Sequence, residues 1–430
     1  MPRVADICRT IIWVSVCLYA FLLPWGVSGV HIALGLGVLA WIVRSIADRR
    51  ATWLGKPVGW PVLVFVVVFL VAGLKGWVLK ETMREFVSLR TLLAIFLVGT
   101  NLRTERGLWR LALLLVASLA LFSLYAAAAR LVMAANRKAV HVPLVVSKDQ
   151  VERLDREGRL EGDAFWLPDL GSMSEAGQLA MGLPIGLALL LAVRDRKLRL
   201  ALVIALGLIA LNLILNMKRG AWLACAAALV ALVIVEKRRI VLLIVAACVV
   251  AGACVPAVRT RVAQVFAGDD GQRLKLWRTV PKIVRDYPLG VGPGCSFHML
   301  RTKKYVPPDV YYAMPDKVHF HSTIAELAVC AGPLAVGAFL WWFAAFGVWA
   351  VRRVRRMTKD SVSRAIVLGG LLAAVAFFVN GLVEYNLGDS DVTLMLYLAM
   401  GMAMAAAPRS GAKKSEGRNK ESPEEKDGEG

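Results

Sequence analysis

LALVIALGLIALNLILNM, residues 200–217, runs directly into Lys218-Arg219-Gly220-Ala221-Trp222. The 18 residues from 200 to 217 carry no formal charge. As a helix rising 1.5 Å per residue they reach about 27 Å, close to the ~30 Å hydrocarbon core of a bilayer. Similar uncharged runs occupy 111–129, 240–255 and 365–383. The chain has 430 residues, is 58% hydrophobic and has a mean hydropathy of +0.61. A soluble domain has no use for so many uninterrupted apolar runs, so the pattern predicts an all-α, polytopic membrane protein.

The net charge of +21 is gathered in short clusters between apolar runs, which is how membrane proteins fix orientation and not how a nucleic-acid-binding face is built. Clusters stand at Arg44, Arg49 and Arg50; at Arg103, Arg106 and Arg110; and at Arg194, Arg196, Lys197 and Arg199. Others are Lys237-Arg238-Arg239, then Arg352, Arg353, Arg355 and Arg356, and a tail from Arg409. All six fall on one side if the chain crosses about twelve times. The expected spans are 10–27, 29–46, 58–74, 88–102, 111–133, 176–193, 200–217, 220–236, 240–256, 322–350, 365–384 and 392–407. Both termini are then cytoplasmic, and the first span is a retained helix rather than a removed signal peptide. The domain reading is one membrane unit over 1–408 and a polar, disordered cytoplasmic tail over 409–430.

Two long connections, 134–175 and 257–321, face the outer (periplasmic) side. The first is slightly acidic, and Lys148 to Leu154 alternates in charge like a surface helix. The second is basic and partly helical: Arg259 to Lys317 holds eleven Lys or Arg against five acids. Positive charge is normally avoided on that side, so its retention points to an anionic substrate. Seven cysteines show no metal-type spacing, and most lie within spans as small apolar residues. A disulfide between Cys254 and Cys295 is open on the oxidising side.

The candidate residues gather at outer ends of spans. Arg219, with Lys218, forms a cationic turn, and an arginine fork suits phosphate oxygens; the bland alternative is snorkelling beside Trp222. Arg273 and Trp277 share one face of a helix that also carries Arg278. Pro288 and the glycines 290, 292 and 294 make a turn, but no strand–turn–helix unit surrounds it as a nucleotide site requires. His319 and His321 flank Phe320; with Asp316 they are too closely spaced for a convincing zinc site, and His321 suits proton transfer better. Glu326 either orients the His321 ring or satisfies a neighbour. Asn380, Glu384, Tyr385, Asn386 and Asp389 crowd the end of the eleventh span. No elbow or triad order supports a hydrolase at Ser322.

Four of these segments, in this order, resemble the O-antigen ligase / O-antigen polymerase superfamily of bacterial membrane glycan transferases. Lys218 to Trp222 is similar to the family's Ser-Arg-Gly-Ala-Trp turn, with Lys in place of the small polar residue. Asp286 to Gly294 resembles its Pro-Leu-x-Gly-x-Gly-x-Gly turn. His321-Ser322, then nine residues to Gly332, resembles the ligase pattern, which continues with Gly, Thr or Tyr where this chain has Ala335. Glu384 to Leu387 resembles the polar end of the penultimate span. The likeness covers roughly 60–407.

The resemblance implies transfer of a glycan from a polyprenyl-diphosphate carrier to an acceptor hydroxyl at the outer leaflet of the bacterial inner membrane. For a ligase the acceptor is lipid A–core; for a polymerase it is another carrier-linked repeat unit. It also implies His321 as the base, Arg219 and loop arginines (here Arg278, then Arg273, with Lys218) on the diphosphate, and no metal or soluble cofactor. His319, Glu326, Glu384 and Asn386 are the supporting candidates. The expected partners are the donor, the acceptor and membrane lipids, without nucleic acid. A transporter or flippase for an anionic lipid-linked glycan is the competing class, but it favours ionisable groups at mid-membrane depth, whereas these gather at one end.

Overall fold

The computed structural model describes residues 4–49, 58–102, 104–135, 172–236, 271–302, 304–306 and 319–407, and all regular structure among them is helical. Six helices form the first half: α1 (Val4–Leu22), α2 (Val27–Ala47), α3 (Gly59–Gly73), α4 (Leu79–Ser88), α5 (Leu93–Asn101) and α6 (Glu105–Ala135). Then come α7 (Met173–Leu190), α8 (Arg196–Leu215), α9 (Arg219–Glu236) and three short helices, α10 (Gly271–Trp277), α11 (Val280–Asp286) and α12 (Ser296–Leu300). The last are α13 (Thr323–Arg356), α14 (Val362–Gly381) and α15 (Ser390–Ala406).

Helix α14 is the hub, with α7, α9, α13 and α15 packed around it. Small residues permit the approach: a Cβ added at Gly370 would lie 2.9 Å from the Ala399 carbonyl oxygen of α15. Phe65, Phe339, Trp342, Phe377 and Phe378 then join α3, α13 and α14 in one aromatic cluster. The peripheral helices turn apolar side chains outward, among them Ile32, Leu39, Leu200 and Ile234, each more than half exposed. Outward Leu and Ile in such number suit lipid.

Contacts between helix ends give the bundle two unlike ends. At one, Arg194 pairs with Asp360 at 3.0 Å, Arg364 with Glu236 at 2.6 Å, and Ser363 donates to Glu105 at 3.0 Å. The clusters around Arg106, Arg194 and Arg352 lie there. At the other end, Ser174 Oγ donates to Asp389 Oδ2 at 2.5 Å and the Thr323 amide donates to the Glu384 carbonyl at 3.1 Å.

Among the described residues, eight helices are long and apolar enough to cross a membrane, and Gly59–Gly73 and Ser390–Ala406 are shorter apolar helices. The expected span 240–256 lies outside the described residues, as do most of the first long connection, parts of the second (257–270, 303 and 307–318) and the tail, so twelve crossings stay an expectation. The segment 88–102 differs from its expected form. Its apolar part is α5, nine residues long and buried from Ala94 to Thr100 rather than facing lipid. It continues a helical run from Leu79 through a 3₁₀ turn at Leu89–Leu92. Glu81, Arg84 and Glu85 give α4 a polar face, which limits the apolar stretch to α5. Cys295 is a buried free thiol, and its considered partner Cys254 lies outside the described residues.

Candidate active site

The start of α13 and the end of α14 are stitched together by polar side chains. Ser322 caps α13, accepting from the Ala325 amide. The Thr323 hydroxyl donates to the Glu384 carbonyl and accepts from the Asn386 amide, both at 3.1 Å. Asn380 donates to Asn386 Oδ1 at 3.0 Å, and Asn386 donates to the Phe377 carbonyl at 2.9 Å. Each buried amide group thereby finds partners, and the turn from 382 to 388 is held against α13.

His321 stands just before this helix with φ of 48°, a left-handed conformation that is uncommon for a residue with a β-carbon. Its backbone N–H donates to His319 Nδ1 at 3.0 Å, and the two rings lie 4.2 Å apart. Between them Phe320 is fully buried. The Phe320 N–H donates to Glu326 Oε2 at 3.0 Å, while its carbonyl accepts from Trp277 Nε1 at 2.7 Å. Glu326 also accepts from the Ser296 hydroxyl. Of the two roles open to Glu326, the geometry selects the second: it holds the loop's backbone and not the His321 ring.

The ring of His321 faces Glu384 instead. Its Nδ1 is 3.7 Å from Glu384 Oε2, an ionic contact longer than a direct hydrogen bond. The other carboxylate oxygen, Oε1, accepts from Arg273 Nη2 at 3.1 Å, and Arg273 Nη1 donates to the Val383 carbonyl at 3.0 Å. Arg273, Glu384 and His321 therefore lie in one line, with the carboxylate in the middle. Burial pushes the Glu384 carboxyl up, but His321 and the Arg273 guanidinium outweigh it and hold the group below its ordinary value. His319 is pushed down to about 4, chiefly by burial and then by His321 beside it, so it is neutral at neutral pH. Its Nδ1 accepts a hydrogen bond, which leaves the proton on Nε2.

The cationic turn before α9 borders the same turn. Met217 is left-handed at φ 59°, Trp222 Nε1 donates to the Leu213 carbonyl at 2.8 Å, and the chain reverses at Lys218 and Arg219. A Cβ added at Gly220 would lie 2.9 Å from Val383 Cγ2 and 3.0 Å from Asn380 Oδ1. That contact sets Arg219 next in sequence to a residue packed against the segment carrying Glu384. Arg273 joins the cluster through its side chain; Arg278, one turn further along, is exposed.

The glycine turn 288–294 serves α13. Within α13, Pro333 has no N–H to give the Val329 carbonyl, and Gly332 leaves helical geometry at φ 77°. The amides of Val291 and Gly292 take the freed carbonyls of Val329 and Cys330 at 2.9 and 3.0 Å. The fit is close: a Cβ at Gly332 would lie 2.4 Å from the Pro288 oxygen, and one at Gly292 2.3 Å from Gly76 Cα. The Trp77 amide donates to the Val291 carbonyl at 3.0 Å on the far side. Ala335, where the ligase pattern asks for Gly, Thr or Tyr, is fully buried.

Sequence reasoning did not single out Thr323 or Ser296. Thr323 adjoins His321-Ser322 and Ser296 follows Gly294 by two residues, and that proximity was the only signal either carried. Nor did it find Arg130 and Glu175, a buried pair 3.6 Å apart between α6 and α7, with Arg130 also donating to Asn212 at 2.5 Å.

A helical bundle with apolar helices of membrane-spanning length and a His–carboxylate–Arg cluster at one end defines a multi-pass membrane protein whose polar chemistry is confined to that end. Residues 204–341 match the family model described as O-antigen ligase. The match supports the O-antigen ligase / O-antigen polymerase superfamily, and with it a bacterial membrane enzyme of ligase or polymerase type. No curated protein matches the chain.

Proposed function

We propose that this protein is an O-antigen ligase, moving a glycan from a polyprenyl-diphosphate carrier to a hydroxyl of lipid A–core. The observation that carries the reading is the line Arg273–Glu384–His321 at the end of the bundle opposite the basic clusters. By the positive-inside rule those clusters face the cytoplasm, which turns the site to the outer leaflet of the inner membrane, where lipid-linked glycans are handled.

In this scheme Glu384 holds His321 with its proton on Nδ1, leaving Nε2 as the base. The acceptor hydroxyl gives its proton to Nε2 as its oxygen bonds to the anomeric carbon. The bond from that carbon to the diphosphate breaks, and the electron pair leaves on the phosphate oxygen. Arg219, Lys218 and Arg278 meet the charge that develops there, a stabilisation of several kcal/mol for well-placed donors. Arg273 is engaged with Glu384 and serves that carboxylate first. His319, neutral and with its ring tilted against that of His321, puts no positive charge beside the base. No step calls for a metal or soluble cofactor.

The test is the surface polysaccharide of cells lacking the protein, complemented with wild type, His321→Ala or Arg219→Ala. Ligation predicts loss of long glycan from lipid A while polymer accumulates on the carrier, with neither variant rescuing. A lipid A–core bearing single repeat units would instead assign polymerisation; the departure at Ala335 weakens the likeness to the ligase pattern. Unchanged profiles with well-expressed protein would refute both.

A further inference from the structure

Behind the His319–Tyr385 contact lies a cavity that the scheme above leaves unused. It measures about 200 Å³ and is bounded by α3, α4, the 3₁₀ turn Leu89–Leu92, α13 and the segment from Tyr385 to Tyr397. A single water needs only about 10–15 Å³ by that kind of measure, so this is not a packing defect. Its wall combines three kinds of group. The carboxylate of Glu85 and the hydroxyls of Ser88, Ser390 and Thr393 supply hydrogen-bonding capacity, and Phe65 and Tyr385 supply flat apolar surface. Glu85 Cγ is held close to Gly294 of the glycine turn, and Ser88 Oγ lies 3.4 Å from Glu85 Oε2.

That combination is the chemistry of a neutral sugar. Ring hydroxyls donate to a carboxylate and exchange hydrogen bonds with side-chain hydroxyls, while the C–H face packs on aromatic rings. Arg84 also borders the cavity, but its side chain is largely exposed and pairs with Glu81 at 3.8 Å; a phosphate further in would meet the Glu85 carboxylate, and an acyl chain would strand the carboxylate and hydroxyls without partners. Position agrees. The His319 and Tyr385 rings are 5.7 Å apart, so one residue faces both the base's neighbour and the cavity. The cationic turn reaches the 382–388 segment from α9, whereas the cavity reaches it from α4 and α15. Burial, with Glu326 nearby, also raises the Glu85 carboxyl above its ordinary value, as suits a group meant to share protons with hydroxyls.

We propose that this cavity is a subsite for one neutral saccharide ring, held by Glu85 and Ser88 against Tyr385; the inference rests on the glycan-transfer reading. The ring belongs either to the acceptor or to the donor glycan, and the test separates the two. Purified protein in detergent is titrated separately with polyprenyl-diphosphate glycan and with lipid A–core, following tryptophan emission, and transfer is assayed alongside. Glu85→Gln keeps size and removes charge; Ser88→Leu fills the space. Each is expected to weaken one glycan about tenfold, the loss of a hydrogen bond to a charged group, and to leave the other within about twofold. The glycan that weakens names the source. Unchanged affinity for both glycans in both variants overturns the subsite, as does wild type that binds neither. Wild type that binds glycan at this cavity but transfers none would sink the transfer reading and spare the subsite.

Discussion

Three side chains around the proposed base, His321, Glu384 and His319, separate by what they touch. His321→Ala removes the base and is expected to cost about 10²–10⁴-fold in transfer, measured as turnover with purified substrates. Glu384→Gln keeps the shape but loses the charge facing Nδ1. It should lower kcat about tenfold while leaving the KM for donor nearly unchanged, since its partners are His321 and Arg273 rather than substrate. His319 carries the pH dependence. Unfolded, it titrates near 6.5, and folded near 4. Between those values the unfolded chain holds more protons, so stability should fall as pH drops through this window. A thermal midpoint tracked from pH 7 to 4 should show that slope in wild type and a flatter one in His319→Gln. Equal slopes would argue against a buried neutral ring. The residue types were legible in the sequence, but the partnership was not: Glu384 is 63 positions beyond His321, and no spacing rule pairs residues that only the packing of α13 on α14 brings together.

Helices decide where those side chains stand. Gly332 is the point where α13 gives up two of its own hydrogen bonds to the glycine turn. Gly332→Ala combines left-handed strain of about 1–3 kcal/mol with a collision against the Pro288 carbonyl, and the variant should accumulate poorly or be degraded. Trp277→Phe is gentler. It deletes one hydrogen bond to the Phe320 carbonyl, about 0.5–1.5 kcal/mol, and should loosen α10 and raise the KM for donor more than it lowers kcat. An unchanged KM would mean that α10 is placed by other contacts. The sequence showed that the turn 288–294 is special without showing why. Its glycines marked a turn with unusual backbone angles, and only the docked α13 reveals that the backbone amides of Val291 and Gly292 are used by Val329 and Cys330. The stretch 88–102 was hard to read for a related reason: an apolar run reports burial, and burial inside a bundle reads the same as burial in lipid.

The whole bundle has one end defined by basic clusters and another by the site, and a buried ion pair ties the former together. Arg364 and Glu236 are each about 5% exposed and meet at 2.6 Å. Removing one partner strands the other, so Arg364→Met should destabilise by about 3–5 kcal/mol, whereas Arg364→Met with Glu236→Leu should recover much of that loss. Thermal unfolding in one detergent compares the three proteins, and additive losses would show that the two charges are independent. The arrangement of polar ends was readable from clusters of Arg and Lys, because that signal lies in composition alone. The number of crossings was less so, since short helices such as α3 and α15 fall below the length that marks a span by itself.

Gly332 lies ten positions beyond Ser322, and at 1.5 Å per step the first part of α13 is a ruler about 15 Å long. At its top the chain sets the His321 ring; at its bottom it is pinned to the loop that leads on to Ser296 and so to Glu326. A single inserted or deleted residue would turn one mark against the other by about 100° and shift it by 1.5 Å, and no side-chain adjustment repairs a rotation of that size. Substitutions along this stretch are therefore tolerable in kind but not in number. The fixed interval is itself a part of the site, as much as the side chains it carries.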